Sequence, residues 1–255
     1  MSIYSHFRPE EKDFIDKILG FKYDVEKYYA PKLLDFLDPR EQEITRQLIG
    51  NQEIKVSFFG GSSTSERKRA IIYPNYFSPT EEDFGVSLLQ MDYPSKFITI
   101  EHPKVLGSLM SIGVKREKFG DILIEGNTIQ LVVAKELENF ILLNFDQVGK
   151  TKISLNSIPF SSILTIKENW QQRTIICSSL RLDTIIHSIF NISRAKSQEL
   201  IDGKKVKVNF KLVELSHFEC QEGDVLSVRG FGRAKIFELS GQTKKDKFKL
   251  VVGTH

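Results

Sequence analysis

Leu180–Arg233, LRLDTIIHSIFNISRAKSQELIDGKKVKVNFKLVELSHFECQEGDVLSVRGFGR, is the stretch whose reading decides the fold. From Arg181 to Phe190 the apolar residues Leu182, Ile185, Ile186, Ile189 and Phe190 recur at i, i+3, i+4, i+7 and i+8. They form one buried helical stripe that leaves Arg181, Thr184, His187 and Ser188 off it. Asn191 stops this helix. Ser193 is placed to N-cap a second helix that turns Ala195, Leu200 and Ile201 inward and ends at Asp202-Gly203. Arg194, Lys196, Ser197 and Gln198 lie in its first turns, beside backbone N–H groups that lack helical partners and favour an anion. Lys204 to Asn209 then alternates, with Val206 and Val208 on one face and Lys205, Lys207 and Asn209 on the other, as a half-buried strand does. Gly223-Asp224 turns the chain into a strand over Val225–Arg229, which ends at the corner Arg229-Gly230-Phe231-Gly232-Arg233.

Charge follows the same division. From Ser178 onward there are 14 Lys and Arg against 9 Asp and Glu, whereas the rest of the chain holds 22 basic and 24 acidic residues. The whole-chain net charge of +3 therefore hides a basic C-terminal third on a faintly acidic body. Such asymmetry points to a polyanionic partner at one end.

In order and spacing, Arg181-Leu182-Asp183, Ser193-Arg194, Ile201-x-Gly203-x-x-Val206-x-Val208-Asn209, Gly223-Asp224 and Val228-Arg229-Gly230 resemble the S-four-type RNA-binding domain (the alpha-L motif). The resemblance implies that the two helix starts and the following strand hold structured RNA through backbone and shape. Carried over to this chain, the expected contacts are Arg181, Ser193, Arg194, Lys196, Ser197, Gln198, Lys205, Lys207, Arg229 and Arg233. Asp183 is expected to orient Arg181, because a carboxylate facing phosphate would repel it.

At 255 residues, with 40% apolar and 27% charged residues, the chain is an ordinary globular sequence with room for two or three small domains. No run approaches the length of a membrane span, and MSIYSHFRPEEKDF has neither the basic nor the apolar region of a secretion signal. Cys177 and Cys220 show no CxxC spacing, so free thiols in a reducing cytoplasm are expected. The fold expected is α+β and multi-domain: a helical and mixed N-terminal domain over 1–74, a small α/β sandwich over 75–177 that could resemble RNA-recognition folds, and the basic module with a final hairpin over 178–255.

In the first of these, Phe14, Ile15, Ile18 and Leu19 make an apolar helical face with Gly20 as its stop, and Asp38-Pro39 caps a second helix. Strands follow at Ile54–Phe59 and Ala70–Tyr73. The loop joining them, Gly60 to Arg69, reads either as a hairpin tip or as an accessory RNA contact through Arg67, Lys68 and Arg69. It lacks the GK[ST] of a nucleotide-binding loop. The middle stretch predicts strands at Phe84–Met91, Phe97–Ile100, Asp121–Glu125, Thr128–Val133 and Trp170–Cys177, and helices at His102–Ile112 and Lys135–Gln147. The loop Gly113 to Gly120 carries Lys115, Arg116 and Lys118, either as a solvated loop or as a second RNA contact. Ala234–Leu239 and Phe248–Val252 predict a last hairpin joined by Ser240 to Lys247.

Gly60-Gly61 with Glu66-Arg67-Lys68-Arg69, His102-Pro103-x-x-Leu106-Gly107-x-Leu109-Met110, and Lys115 to Ile122 are similar to the YlmH family of bacterial RNA-binding proteins. This resemblance covers nearly the whole chain. It implies a factor bound to ribosomal RNA of the large subunit, particularly one obstructed by peptidyl-tRNA, that takes part in rescue of stalled nascent chains; a cytoplasmic monomer without cofactor or metal is expected. Two other classes compete. Pseudouridine synthases carry a catalytic Arg-Leu-Asp string, but here Arg181-Leu182-Asp183 opens the RNA-binding helix and no second such string exists. His6, His102, His187, His217 and His255 have no metal-ligand spacing, and no nucleophile is paired with a base, so a non-enzymatic role is expected. A cell-division adaptor stays open; it predicts that loss of Arg181 and Arg194 is harmless.

Overall fold

The computed structural model describes Tyr4 and residues 7–50, 53–165, 170–243 and 245–254; His6, Lys244 and His255 lie outside the described residues. The chain forms two compact units, Met1–Ile166 and Lys167–His255.

The first unit begins with α1 (Lys12–Tyr28), β1 (Lys32–Leu37), α2 (Pro39–Ile49), β2 (Ile54–Phe59) and β3 (Lys68–Pro74). The strands form an antiparallel sheet in the order β1-β3-β2. Ala70 and Ile72 of β3 meet Ile15, Ile18 and Val25 of α1 and Ile44 and Leu48 of α2 on one face. α1 does not stop at Gly20. A Cβ there would meet nothing within 4 Å, so the glycine costs only its own flexibility, about 1 kcal/mol, and the burial of Ile15, Ile18 and Val25 on either side outweighs it. α2 starts as its sequence predicts: Asp38 accepts from the Glu41 N–H at 2.9 Å, and Glu41 accepts from the Asp38 N–H at 3.0 Å.

The same unit continues with β4 (Val86–Asp92), α3 (His102–Ser111), β5 (Phe119–Glu125), β6 (Thr128–Ala134), α4 (Glu138–Asn144), the small hairpin β7 (Gln147–Val148) and β8 (Thr151–Lys152), and β9 (Ser154–Ile158). Phe97–Ile100 is turn and loop rather than strand, and the helix expected over 135–147 is a 3-10 turn at Lys135–Leu137 followed by the shorter α4. The antiparallel order β5-β6-β4-β9 is that of a split βαβ fold. Leu89, Met91, Ile129, Leu131 and Val133 face Val105 and Leu109 of α3 and Ile141 of α4.

RNA-recognition folds leave the opposite sheet face open for bases. Here Val86, Leu88, Val132 and Ala134 on that face pack against Phe36, Ile71 and Tyr73 of the N-terminal sheet. The buried amide of Gln130 is satisfied by the following segment, donating to Ser162 O at 2.9 Å and accepting from Leu164 N at 2.8 Å. The connectivity is RNA-recognition-like, but the binding face is closed.

The second unit holds β10 (Gln171–Cys177), α5 (Leu182–Phe190), α6 (Arg194–Asp202), β11 (Val206–Val208), β12 (Lys211–Leu212), β13 (Val225–Val228), β14 (Gly232–Gln242) and β15 (Phe248–Thr254). One sheet, β10-β15-β14-β13-β11-β12, contains all of these strands, so the strand at 171–177 and the last hairpin belong to the fabric of this unit. Leu182, Ile185, Ile186 and Ile189 of α5 and Leu200 and Ile201 of α6 pack on Val206, Val208, Leu226, Val228, Ile236 and Leu250 of its inner face. Each fully buried aliphatic side chain contributes about 1.5–3 kcal/mol as an upper bound. Two details depart from the periodicity. Thr184 is buried and Ala195 is exposed.

Candidate nucleic-acid interface

Asp183 organises the start of both helices. Its side chain is 0% exposed, yet it lies between two arginine side chains that are 40% and 52% exposed. Arg181, the N-cap residue of α5, donates from Nε to Oδ1 at 3.1 Å and from Nη2 to Oδ2 at 3.2 Å. Arg194, the first residue of α6, donates from Nη2 to Oδ2 at 2.8 Å, and the Thr184 N–H donates to Oδ1 at 2.9 Å. Burial alone pushes the Asp183 pKa up. The hydrogen bonds from Arg194 and Arg181 outweigh it and hold the carboxyl at about 2. One buried anion thus fixes two surface cations, leaving a local excess of positive charge whose geometry is set before any ligand arrives.

The remaining expected contacts separate by position. Ser193 spends its hydroxyl on the cap, accepting from the Lys196 N–H at 3.1 Å. Ser197 is fully buried and donates to Ser193 O at 3.2 Å, so its side chain is part of the helix turn and not a contact surface. Lys196 pairs with exposed Glu199 at 2.8 Å, a surface pair that contributes little to stability and is easily exchanged. Gln198 is exposed, with Nε2 3.5 Å from Asp183 Oδ2. His187 contacts Ile192 O through Nδ1.

Lys205, Lys207 and Arg229 are exposed and Arg233 is half-buried. Register places them together. Lys207 stands opposite Ser227, and Ser227 opposite Arg233, so the three share one row across β11, β13 and β14. The Arg229 N–H donates to Lys205 O at 2.9 Å, which carries the ladder one row further. Because Val206, Val208, Leu226 and Val228 point to the core, these four cations lie on the outer sheet face.

The accessory cations fare differently. Arg69, expected at a hairpin tip, is 4% exposed, because its guanidinium satisfies the carbonyls of Leu34 at 3.0 Å and Gly85 at 2.8 Å and pairs with Glu136 at 2.9 Å. Arg67 is equally internal, donating to Phe36 O at 2.9 Å. Both are structural, which corrects the expectation that they reach RNA. The Gly60–Arg69 loop is an ordered turn whose Glu66 and Arg67 N–H groups do hold an anion, but it is the Asp121 carboxylate, at 2.7 and 3.0 Å. Burial raises the Asp121 pKa, and those two amides pull it the other way.

Arg116 stacks over Phe119 with its guanidinium 4.5 Å from the ring centroid and donates to Phe119 O at 2.7 Å. Burial, then the nearby Arg67 charge, lowers its pKa to about 10. Lys118 bridges Asp35 at 2.6 Å and Glu136 at 3.2 Å. Lys68 is half-buried, with Nζ 3.0 Å from Ser63 O, and Lys115 is exposed. Sequence reasoning missed that Asp183 serves Arg194 as well as Arg181. It also missed Lys235 beside Arg233, although the alternation Arg233-Ala234-Lys235 puts both on one strand face.

Residues 79–162 match a family model described as "Putative RNA-binding domain in YlmH", and residues 180–226 match the S4 domain. The chain is 42% identical over 248 residues to the Bacillus subtilis (strain 168) "Ribosome-associated protein quality control protein P2", covering 97% of this chain and 96% of that one. A solved structure, "Cell division protein ylmH from Streptococcus pneumoniae", is similar with a TM-score of 0.56 and 31% identity, covering 64% of this chain and 100% of that chain.

Proposed function

Because the chain belongs to the YlmH family of RNA-binding proteins with an S4 domain, we propose that it docks on structured ribosomal RNA of the large subunit, beside peptidyl-tRNA, and serves the rescue of stalled nascent chains in the cytoplasm. The name of the Bacillus relative, a ribosome-associated protein quality control protein, supports the ribosome as partner and quality control as the process. The observation that carries the reading in this chain is the clamp of Arg181 and Arg194 on buried Asp183. Two guanidinium groups fixed at adjacent helix starts suit phosphates of folded RNA, where positioning and shape dominate over base reading. Lys205, Lys207 and Arg229 add backbone charge. With about five cations on phosphates, log affinity falls with log salt at a slope on the order of −4.

The chain acts as a binding factor and not as an enzyme. Asp183, the one residue that imitates a pseudouridine synthase aspartate, has both oxygens engaged by arginines and its pKa held at about 2. Cross-linking of tagged protein in cells followed by sequencing of the attached RNA tests the proposal. Recovery of large-subunit ribosomal RNA together with tRNA is expected. Recovery of messenger or small-subunit RNA instead contradicts it.

A further inference from the structure

The outer face of the C-terminal sheet carries a series of rings and cations that the helix clamp does not use. The Arg233 guanidinium lies 5.5 Å from the Phe210 ring centroid and 6.0 Å from that of Trp170. Trp170 meets Phe237 edge-on at 6.2 Å, and Lys235 Nζ lies 5.2 Å from the Phe237 ring. Phe210, Arg233, Trp170, Phe237 and Lys235 thus run as a chain of aromatic and cationic groups, each partly open to solvent.

The backbone is arranged to display them. β11 and β12 are joined by Asn209-Phe210, with φ of 48° and 68°. This is the left-handed turn that favours Asn followed by Gly. Asn209 fits it, bound through Nδ2 to Asp224 at 2.7 Å and through Oδ1 to the Val225 N–H at 3.0 Å. Phe210 occupies the position glycine takes without cost, and its ring is turned to Arg233 rather than to the core. At the other end, a Cβ on Gly253 would come within 2.7 Å of Phe237 and 2.9 Å of the Trp170 Cβ, so the glycine makes the bed for that ring pair. The outer positions of β13 and β14 as far as Phe237 hold Arg233 and Lys235 and no carboxylate.

We propose that this face is a stacking platform for unpaired RNA nucleotides, separate in chemistry from the helix clamp that takes folded RNA. Rings accept the faces of bases of any sequence, and the interleaved cations follow the phosphates; each stacked base lost typically weakens binding fivefold or more. The proposal deepens the RNA-binding reading and rests on it.

Trp170 is the chain's single tryptophan, so its emission reports on this face directly. Full-length protein is titrated with a short unstructured RNA oligonucleotide and, separately, with a fully paired RNA hairpin. The expected result is saturable quenching by the single strand that persists in Arg181→Ala/Arg194→Ala. Phe210→Gly, which suits the backbone and leaves the urea midpoint at or above that of the parent, is expected to weaken single-strand binding about tenfold and hairpin binding less than twofold. Absence of quenching, or equal effects of Phe210→Gly on both RNAs, overturns the platform while leaving the clamp intact. Quenching that disappears in Arg181→Ala/Arg194→Ala also overturns it, since the two surfaces would then be one.

Discussion

Asp183→Asn makes a revealing perturbation because charge and geometry predict opposite outcomes. The substitution raises the formal net charge from +3 to +4, so charge alone predicts tighter RNA binding. In the structure the new NH₂ group must replace one acceptor. Placed at Oδ2 it opposes Arg194 and Arg181 Nη2; placed at Oδ1 it opposes the Thr184 N–H and Arg181 Nε. The fall of the carboxyl pKa from 3.8 to about 2 corresponds to about 2 kcal/mol of folding stability, which the variant loses. Freeing two guanidinium side chains adds about 0.5–1.5 kcal/mol each to the cost of ordering them on RNA, so affinity falls about tenfold.

Because the folded pKa lies below the unfolded one, this stability is complete above about pH 4 and drains away as pH falls from there toward about 2. Urea unfolding across those pH values shows the wild type losing about 2 kcal/mol more than the variant, in which Glu136, Glu138 and the other carboxylates still titrate. Fluorescence polarisation with a structured RNA at fixed salt supplies the second measurement. A folded Asp183→Asn that binds as tightly as the parent, or tighter, refutes the claim that the carboxylate pre-arranges the clamp.

Other variants probe other parts of the account. Lys205→Ala and Lys207→Ala each flatten the log–log salt slope by about 1 unit while leaving sequence preference unchanged, as salt titrations of RNA binding will show. Arg69→Met leaves the buried carbonyls of Leu34 and Gly85 unpaired and destabilises the first unit by about 2–4 kcal/mol by chemical denaturation, with unchanged RNA affinity in the folded fraction. Gly120→Ala drives a methyl group to 2.8 Å from the Phe36 ring and 3.2 Å from Val132, which lowers stability by about 1–3 kcal/mol in the same assay. Ser193→Ala removes the α6 cap at a cost of about 1 kcal/mol, and thermal unfolding reads the shift.

The parts of the fold that one strong local signal specifies were legible in the sequence. The α5 stripe, the Ser193 cap and the Asp38-Pro39 helix start are such cases, since the residues that decide them are near neighbours in the chain. What escaped was decided at long range. Gly20 has a helix-ending signature, yet burial of residues on both sides carries α1 through it. Arg67 and Arg69 read as loop cations because nothing nearby in sequence announces Phe36, Leu34 or Glu136 as partners. Similarly, Asp121 stands 54 residues from the Arg67 amide it accepts from, so the sequence around the turn does not show that the anion it holds is internal. In the interface itself, Arg181 and Asp183 are two residues apart and their pairing was readable. Arg194 joins them only because α5 and α6 pack side by side.

Co-sedimentation with ribosomal subunits on a density gradient, comparing wild type with Arg181→Ala/Arg194→Ala, tests the central claim most directly. The expected result is that the wild type migrates with the large subunit at low salt and that the folded double variant stays at the top. Equal migration of both proteins, or wild-type protein that never leaves the top, contradicts docking through this clamp.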